Sequence, residues 1–311
     1  MPKYTRIQFL LTIALTSLVF WNCAKRRAFN DEAAQTPVEI RQFQLEQDVV
    51  MTEANTLLAD QFLMRGKQSG GFAKSLCGCD ADTGLVFSGT VSLVYNNVVC
   101  NNRRRTGKIQ ITILNYPLAK WKKAGSTVKM EFENYAVTYV DGTTYTLSGT
   151  QYVINESGGT WYDMYYTGQT SLSQRIEADN VRVRYDPLHS AFISTSRRVV
   201  YTLKSGVVYA NMSAAGDYNG ESADTWGTDR DGAQFHAGVT TTMQWNTTCG
   251  PMKPATGASY VVVDGKDYTF TCTYGVNDEG NTGEWSASNC ATAWRVDWTY
   301  KNSSARRVFG Y

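Results

Sequence analysis

The chain has 311 residues, with 30 Lys and Arg against 28 Asp and Glu, so its formal net charge is only +2. This balance excludes a strong overall field, and we expect no nucleic-acid partner. The length allows a sizeable core in one large domain or two smaller ones. The 19 Tyr and 8 Trp suit half-exposed strands. We favour sheet packing for these aromatics over a stacking surface for sugars, the other common use of Tyr and Trp.

The first 23 residues have the pattern of an export signal. Lys3 and Arg6 precede a mainly apolar run over residues 9–21, which is short for a membrane span. The run ends at Cys23, in the place of the lipid-attachment cysteine of a bacterial lipoprotein. We therefore expect residues 1–23 to form a signal peptide ending at the lipidation cysteine, followed by a tether over residues 24–37. Ordinary signal-peptidase cleavage and an uncleaved anchor are the alternatives.

Six cysteines remain besides Cys23, an even number that suits disulfides in an oxidising compartment. These disulfide candidates are Cys77, Cys79, Cys100, Cys249, Cys272 and Cys290. They fall into an N-terminal and a C-terminal group of three, so at least one bridge must join the groups if all six pair. The connectivity stays open. A metal site on the first two is disfavoured, because one residue separates them instead of the two of common zinc sites.

Residues 38–66 predict an N-terminal amphipathic helix. Pro37 suits the first helical turn, and Gly66 suits the C-cap. The apolar residues between them recur at spacings of three, four and seven, which gives one broad stripe. We expect the helix to pack across a sheet face or a barrel mouth. A helix that binds a partner is the alternative.

Residues 72–311 predict an all-β domain. Period-two alternation of apolar and polar residues recurs most clearly over residues 103–155, where Asp141-Gly142 marks a hairpin turn. Candidate strands lie at 85–95, 108–113, 127–132, 135–140, 145–154, 160–167, 171–177, 181–185, 198–203, 207–212, 234–245, 259–263, 268–274 and 293–300.

This succession of strands predicts a large antiparallel meander. It would form a sandwich, or an open curled sheet with the helix against its concave side. A closed soluble β-barrel is the alternative. The polar segment 213–232 is a candidate boundary between two sub-sheets.

Acidic residues concentrate in this same segment. Oxygen-bearing side chains at nearly alternate positions can hold calcium, which makes Asp217, Asn219, Glu221 and Asp224 the candidate metal ligands. The twelfth position counted from Asp217 is Thr228, however, and not the bidentate Glu of an EF-hand. We therefore predict no metal and no other cofactor.

No catalytic arrangement stands out in the sequence. A glycan hydrolase needs two facing carboxylates, and nothing pairs Glu131, Glu133, Asp163 or Glu177, which we interpret as solvated surface groups. His189 and His236 lack a nucleophile motif. We interpret Arg103 to Arg105 as charges that protect an edge strand, with lipid phosphate as the alternative partner.

A resemblance adds to this prediction. The segment 103–155 contains an Arg-x-Arg-x-Gly-Lys-Ile strand entry, followed by two further groups of matching positions. The matching residues are Arg103, Arg105, Gly107, Lys108, Ile109, Phe132, Asn134, Tyr135, Val137, Gly149, Thr150, Val153 and Asn155. With them the segment resembles a family of uncharacterised secreted lipoproteins of Bacteroidota, and the region from Gly227 to Cys290 is similar more loosely. Asn22, Cys77-Gly78-Cys79 and Cys272 depart from the pattern.

The resemblance implies an envelope lipoprotein with an all-β body, and it brings no activity. Together with the export signal, it leads us to expect a non-enzymatic, membrane-tethered protein of the cell envelope, placed in the outer membrane on its periplasmic or surface side. The expected partners are the membrane, through a lipid anchor, and a glycan, a lipid or another envelope protein. A purely structural component and a glycan-acting hydrolase are the alternatives.

Overall fold

The structure is a computed structural model that describes residues 34–59, 82–83, 89–100, 102–118, 120–300 and 303–311, with the backbone alone at 82, 83 and 100. Two helices lie among them, α1 (Gln35–Ala59) and α2 (Trp161–Tyr166). The strands are β1 (Asp82–Thr83), β2 (Thr90–Cys100), β3 (Arg103–Ile113), β4 (Ser126–Tyr139), β5 (Thr144–Asn155), β6 (Ser171–Arg184), β7 (Ser190–Lys204), β8 (Val207–Ala214), β9 (Gly216–Tyr218), β10 (Glu221–Ala223), β11 (Thr225–Thr228), β12 (Gln234–Asn246), β13 (Thr256–Val263), β14 (Thr269–Val276), β15 (Ala293–Tyr300) and β16 (Ser303–Gly310).

Fourteen of these strands form one antiparallel sheet, while β9 and β10 form a separate hairpin. Neighbouring strands follow the chain from β1 to β7, and the order continues through β11 to β16. Strand β8 pairs with both β7 and β12. The prediction of a large antiparallel meander with one N-terminal helix is confirmed. The strands before and after segment 213–232 belong to the same sheet.

Helix α1 lies inside the curl of this sheet. Its side chains contact β3 through Glu46, β6 through Asn55, β11 through Gln44 and β14 through Arg41. A helix is only about 10–12 Å wide, so contacts with strands this far apart in the sheet require the sheet to wrap around it. Most of the 25 helix residues are buried, charged ones included. Burial therefore extends well beyond the predicted apolar stripe.

A row of β-bulges crosses the sheet from β2 to β6. Each of these strands shifts register once, at or beside Asn97, Gly107, Asn134, Gly149 and Asn180, all of which have positive φ. Glycine and asparagine tolerate this left-handed backbone best. At Gly107 an added Cβ would lie 2.2 Å from the carbonyl oxygen of Asn134, so adjacent bulges fit closely together. Because each bulge bends its strand and increases twist, we attribute the curl of the sheet to this row.

The start of β3 lies beside the end of β16. The two strands run in the same direction, because an even number of antiparallel pairings separates them. Arg103 at the start of β3 and Phe309 near the end of β16 nevertheless line the same pocket. The described strands end at β1 and β16 without closing, so the alternative of a closed barrel is wrong.

Three local predictions are corrected by the structure. The predicted strand 160–167 is instead α2 with its two cap residues, because Thr160 and Asp163 make a reciprocal capping box that starts a helix. The predicted strands 127–132 and 135–140 are both part of β4, and 171–177 and 181–185 are both part of β6. In each case a bulge, at Asn134 or Asn180, interrupts the alternation without ending the strand. The predicted helix residues 60–66 lie outside the described residues.

Candidate functional site

A pocket of about 350 Å³ lies between the start of β3 and the end of β16. We call it the seam pocket, and its volume is within the range of small-molecule sites, about 300–1,000 Å³. Helix α1 forms its floor, and spacings of three and four residues place the floor residues on one helical face. The floor residues are Val38, Arg41, Gln42 and Leu45, and the walls are formed by Asn102, Arg103, Tyr139, Val140, Asp141, Met252, Trp294, Phe309, Gly310 and Tyr311.

Two residues of the pocket wall, Trp294 and Phe309, belong to an aromatic ladder across three strands. Trp294 on β15 is the register partner of Phe309 on β16 and of Tyr274 on β14, and Tyr274 itself does not line the pocket. The ring of Trp294 is stacked on both, with centroids 4.8 Å from Phe309 and 6.1 Å from Tyr274. Directly opposed aromatic side chains stabilise an antiparallel sheet. The same pairing that stabilises these strands therefore gives the pocket an aromatic wall.

Arg41 is the buried cation of the pocket floor. It is 3% exposed, and its guanidinium lies over the ring of Tyr274 at 4.9 Å from the centroid. Its Nη1 is 3.7 Å from Asp48 Oδ2, an ion-pair contact too long for a hydrogen bond. Within the described chain, neither Nη1 nor Nη2 has a hydrogen-bond partner. Since buried polar groups are nearly always hydrogen-bonded, Arg41 retains binding capacity.

Asp48 is shared between two arginines. Besides Arg41, it contacts Arg197 Nη1 at 3.0 Å. Burial raises the pKa of Asp48, against the lowering effect of both arginines. The nearby carboxyl of Asp224 accepts a hydrogen bond from Gln44 at 3.1 Å, and burial raises its pKa to about 6. The acids around Arg41 thus hold their protons more tightly than exposed carboxyls do.

Arg103 also lines the pocket, but its charge is balanced. Its guanidinium is paired with Glu46, which in addition accepts a hydrogen bond from the hydroxyl of Tyr135. Burial raises the pKa of Tyr135 well above its usual value, so the hydroxyl stays protonated and donates. A second contact of Arg103 is with Met252 Sδ at 3.2 Å. Arg103 therefore belongs mainly to the internal network of the protein.

A second ion pair between β3 and α1, that of Arg105 with Glu53, makes more hydrogen bonds. Arg105 donates two hydrogen bonds to the carboxylate of Glu53, at 2.7 and 3.0 Å, and Tyr95 donates a third at 2.6 Å. The interpretation of Arg103 and Arg105 as edge-protecting charges is therefore wrong. Strand β3 lies between β2 and β4, and both side chains point inward to α1, while Arg104 is exposed.

Tyr139 provides a further polar atom near the pocket. Its ring is half-buried, and its hydroxyl lacks a hydrogen-bond partner among the described residues, although Arg103 and Tyr145 lie beside it. Burial raises the pKa of this hydroxyl. It is therefore a neutral group that can donate to or accept from a bound molecule.

The candidate calcium ligands are not brought together. Asp217 accepts a backbone hydrogen bond within the β9–β10 turn, where Asn219 has positive φ, and Glu221 faces His236 at 3.1 Å. Asp224 is buried and faces α1. In the ranges that the structure describes, no group of three or more His, Cys, Asp or Glu side chains could hold a metal ion.

The candidate catalytic carboxylates each have a local partner. Glu131, Glu133 and Glu177 form ion pairs with Lys or Arg at 2.6 to 2.9 Å, and Asp163 caps α2. Of the described residues that line the seam pocket, only Asp141 carries a carboxyl group. These acids therefore act in surface pairs and in a helix cap.

One disulfide, Cys249–Cys290, joins the segment after β12 to the segment before β15, with Cα atoms 5.5 Å apart. Cys272 on β14 is a free, buried thiol whose pKa is raised by burial to about 12. Three bridges among the six candidates are thus excluded, because Cys272 points into the core as a small apolar residue. The other three disulfide candidates, Cys77, Cys79 and Cys100, lie outside the described side chains, and so does the lipidation candidate Cys23.

Comparisons with protein-family models, with curated proteins and with solved structures gave no match for this chain. No helix of the described ranges is long and apolar enough to cross a membrane. Sequence reasoning missed the seam pocket, whose lining extends from residue 38 to residue 311. The one available signal was Arg41, a cation within the apolar pattern of the predicted helix.

Proposed function

We propose that this chain is a non-enzymatic, membrane-tethered lipoprotein of the cell envelope that binds a small ligand in the seam pocket. The observation that carries the proposal is the buried guanidinium of Arg41, which lies at the pocket floor with unused donors beside an aromatic wall. Ligand pockets combine such an apolar surface with a few convergent polar groups. The carboxylates that a glycan hydrolase would need are engaged elsewhere, which supports a binding role.

The tether is proposed from the N-terminal sequence pattern and from the lipoprotein resemblance. Val38, the first pocket residue, comes 15 positions after Cys23, the proposed lipid-attachment site. A chain spans at most about 3.5 Å per residue, so the pocket would stay within roughly 50 Å of an outer-membrane surface. This placement suits a ligand that is part of the envelope, such as a glycan or a lipid.

Ligand binding is tested with the full chain purified from membranes of a bacterial host. A panel of sugars, sugar acids, aromatic acids and lipids is screened by thermal unfolding, and we expect at least one class to raise the unfolding temperature. Binding at one hundred times Kd stabilises a protein by about 2.7 kcal/mol, which is a shift of several degrees.

Two matched variants locate the site. Leu45→Trp fills the pocket floor and should abolish the shift, whereas Leu188→Trp, on an exposed turn, should retain it. Ligand binding in this pocket is rejected if no compound shifts the wild type, or if both variants behave alike.

The tether is tested separately with Cys23→Ser. We expect the native chain to carry the added mass of lipid and to fractionate with membranes, and the variant to lose both properties. An unchanged intact mass and an unchanged fractionation in the variant would rule out lipidation at Cys23.

A further inference from the structure

We propose that the seam pocket takes a ring-bearing organic carboxylate, with its carboxylate on Arg41 and its ring against Trp294 and Phe309. This inference rests on the proposed function and specifies its ligand class. Its basis is the juxtaposition of an incompletely bonded guanidinium with an aromatic wall in a pocket of about 350 Å³.

The first step concerns Arg41. Its terminal nitrogens offer a planar fork of donors, and a carboxylate accepts two parallel hydrogen bonds from such a fork. Asp48 does not supply them, because it lies 3.7 Å away and contacts Arg197 more closely, at 3.0 Å. A donor left buried without an acceptor destabilises the protein. A bound anion would relieve this penalty, and the relief adds to the binding affinity.

The second step concerns charge. The seam pocket is lined by three charged side chains, Arg41, Arg103 and Asp141. Arg103 is already paired with Glu46, and Asp141 is exposed, where it opposes additional negative charge. One guanidinium therefore remains for a ligand with a single negative charge. A carboxylate matches this count better than a phosphate monoester, which carries about 1.5 to 2 negative charges at neutral pH.

The third step concerns the body of the ligand. Phe309 is half-buried: Trp294 is stacked on its ring, and the guanidinium of Arg307 lies over the ring at 4.9 Å from the centroid, so only part of the ring is accessible from the pocket. On the helix, Val38 and Leu45 continue the apolar surface. Aromatic faces bind other rings and the apolar faces of sugars. The hydroxyl of Tyr139 adds one unpaired polar group for a substituent on that ring.

The test uses the full chain and two sources of a ring with a carboxylate. Benzoate represents aromatic acids and glucuronate represents sugar acids. Benzamide and glucose are their neutral counterparts, and inorganic phosphate is the anion without a ring. Affinity is measured by isothermal titration and by tryptophan fluorescence. We expect at least one carboxylate to bind about tenfold or more tightly than its neutral counterpart, the gain typical of a charge-assisted hydrogen bond, and phosphate to bind more weakly.

Two variants assign the preference to Arg41. Arg41→Gln should bring carboxylate and neutral ligand to the same affinity, while Arg104→Gln, on the exposed face of β3, should leave the preference unchanged. Arg41→Lys keeps the charge without the fork and should lose part of the preference, about tenfold or less. Circular dichroism and thermal unfolding check that each variant folds.

The outcomes separate this inference from the proposed function. Equal binding of carboxylates and neutral rings overturns the inference and leaves a ligand pocket in place. Failure of both carboxylates to bind, tighter binding of phosphate, or an unchanged preference in Arg41→Gln also overturns it. A screen in which no compound binds, or in which Leu45→Trp and Leu188→Trp behave alike, removes the proposed function as well.

Discussion

The two sides of helix α1 bury charge in different ways. On the side facing β2 to β4, which we call the saturated side because its carboxylates are fully paired, Glu46 and Glu53 accept hydrogen bonds from Arg103, Arg105 and two tyrosines. Of these arginines only the Nε atoms have no hydrogen-bond partner among the described residues. The other side, facing β7, β11 and β14, we call the incomplete side. It includes Arg41, Asp48, Arg197, Asp224 and Glu39, several of whose polar atoms have no hydrogen-bond partner among the described residues.

This difference separates a structural role from a binding role. A buried network in which every charged group is paired holds its elements in one arrangement, and breaking a pair leaves a buried charge uncompensated. A network with unused donors is less stabilising, and it can accept a further partner. The saturated side therefore fixes α1 within the sheet, while the incomplete side meets the seam pocket.

The largest expected effect is on the saturated side. Arg105→Leu removes both hydrogen bonds to Glu53 and leaves its largely buried carboxylate without a cation, so we expect a loss of about 3 kcal/mol in the free energy of unfolding. Urea unfolding followed by circular dichroism measures it.

Two further variants sharpen this prediction. Arg104→Leu is the matched control on the exposed face of β3 and should change stability by less than about 0.5 kcal/mol. The double variant Arg105→Leu with Glu53→Leu should recover most of the loss, because an apolar pair carries no uncompensated charge. Equal losses of stability in Arg105→Leu and Arg104→Leu would show that the buried ion pair contributes no more than an exposed arginine.

The incomplete side should make stability depend on pH. Burial raises the pKa of Glu39 from 4.5 to about 7, although Arg230 lies 2.8 Å away. The folded protein thus holds this proton more tightly than the unfolded chain does. The resulting stabilisation is complete below about pH 4.5 and is lost as the pH rises to about 7. We expect the free energy of unfolding to fall over this window, by up to about 3 kcal/mol.

Asp224 should contribute in the same direction up to about pH 6, where its raised pKa lies. Urea unfolding at pH 5 and pH 8 measures the slope, and Glu39→Gln should reduce it. Glu131→Gln, on an outer strand face, is the control and should leave it unchanged. A slope that is the same in Glu39→Gln as in the wild type would argue against titration of this carboxyl.

Two tyrosines of β4 allow a comparison between a hydroxyl that makes a hydrogen bond and one that makes none. Tyr135→Phe removes a hydrogen bond to the Glu46 carboxylate and should destabilise the protein by about 1.5–3 kcal/mol. Tyr139→Phe removes a hydroxyl without a hydrogen-bond partner in the described chain and should change stability by less than about 0.5 kcal/mol. Thermal unfolding of both variants side by side checks this. Similar losses in both would indicate that the hydroxyl of Tyr139 is bonded in solution.

Among the charged residues that α1 buries, Arg41 should contribute less to stability than the partners of Glu46 and Glu53. Arg41→Met loses a long ion pair and the contact with the Tyr274 ring, but it also removes two desolvated nitrogens without acceptors. The net cost should be about 1 kcal/mol, well below that of Arg105→Leu. A loss as large as that of Arg105→Leu, measured by the same urea unfolding, would show that Arg41 is structural and would weaken the case for a ligand there.

Local pattern determined the strands of this protein. Period-two alternation and turns such as Asp141-Gly142 act over a few residues, so they predict where strands lie and that neighbours pair in sequence order. The same patterns predict α1, because its apolar spacing is also local. They fail at residues 160–167, where a capping box with Asp163 competes with the alternation.

Only the tertiary structure decided which charges are buried and where a pocket forms. The charges of Arg103 and Arg105 predict exposed side chains. That both side chains point inward depends on the strand register and on the acids of α1 that lie opposite them. The seam pocket depends on how the sheet curls around α1, because its lining combines residues of α1 with residues near β3, β4, β15 and β16. That curl is the sum of bulges and twist over all the intervening strands, and no short stretch of sequence contains it. The strands were therefore predictable, while the pocket between distant strands was not.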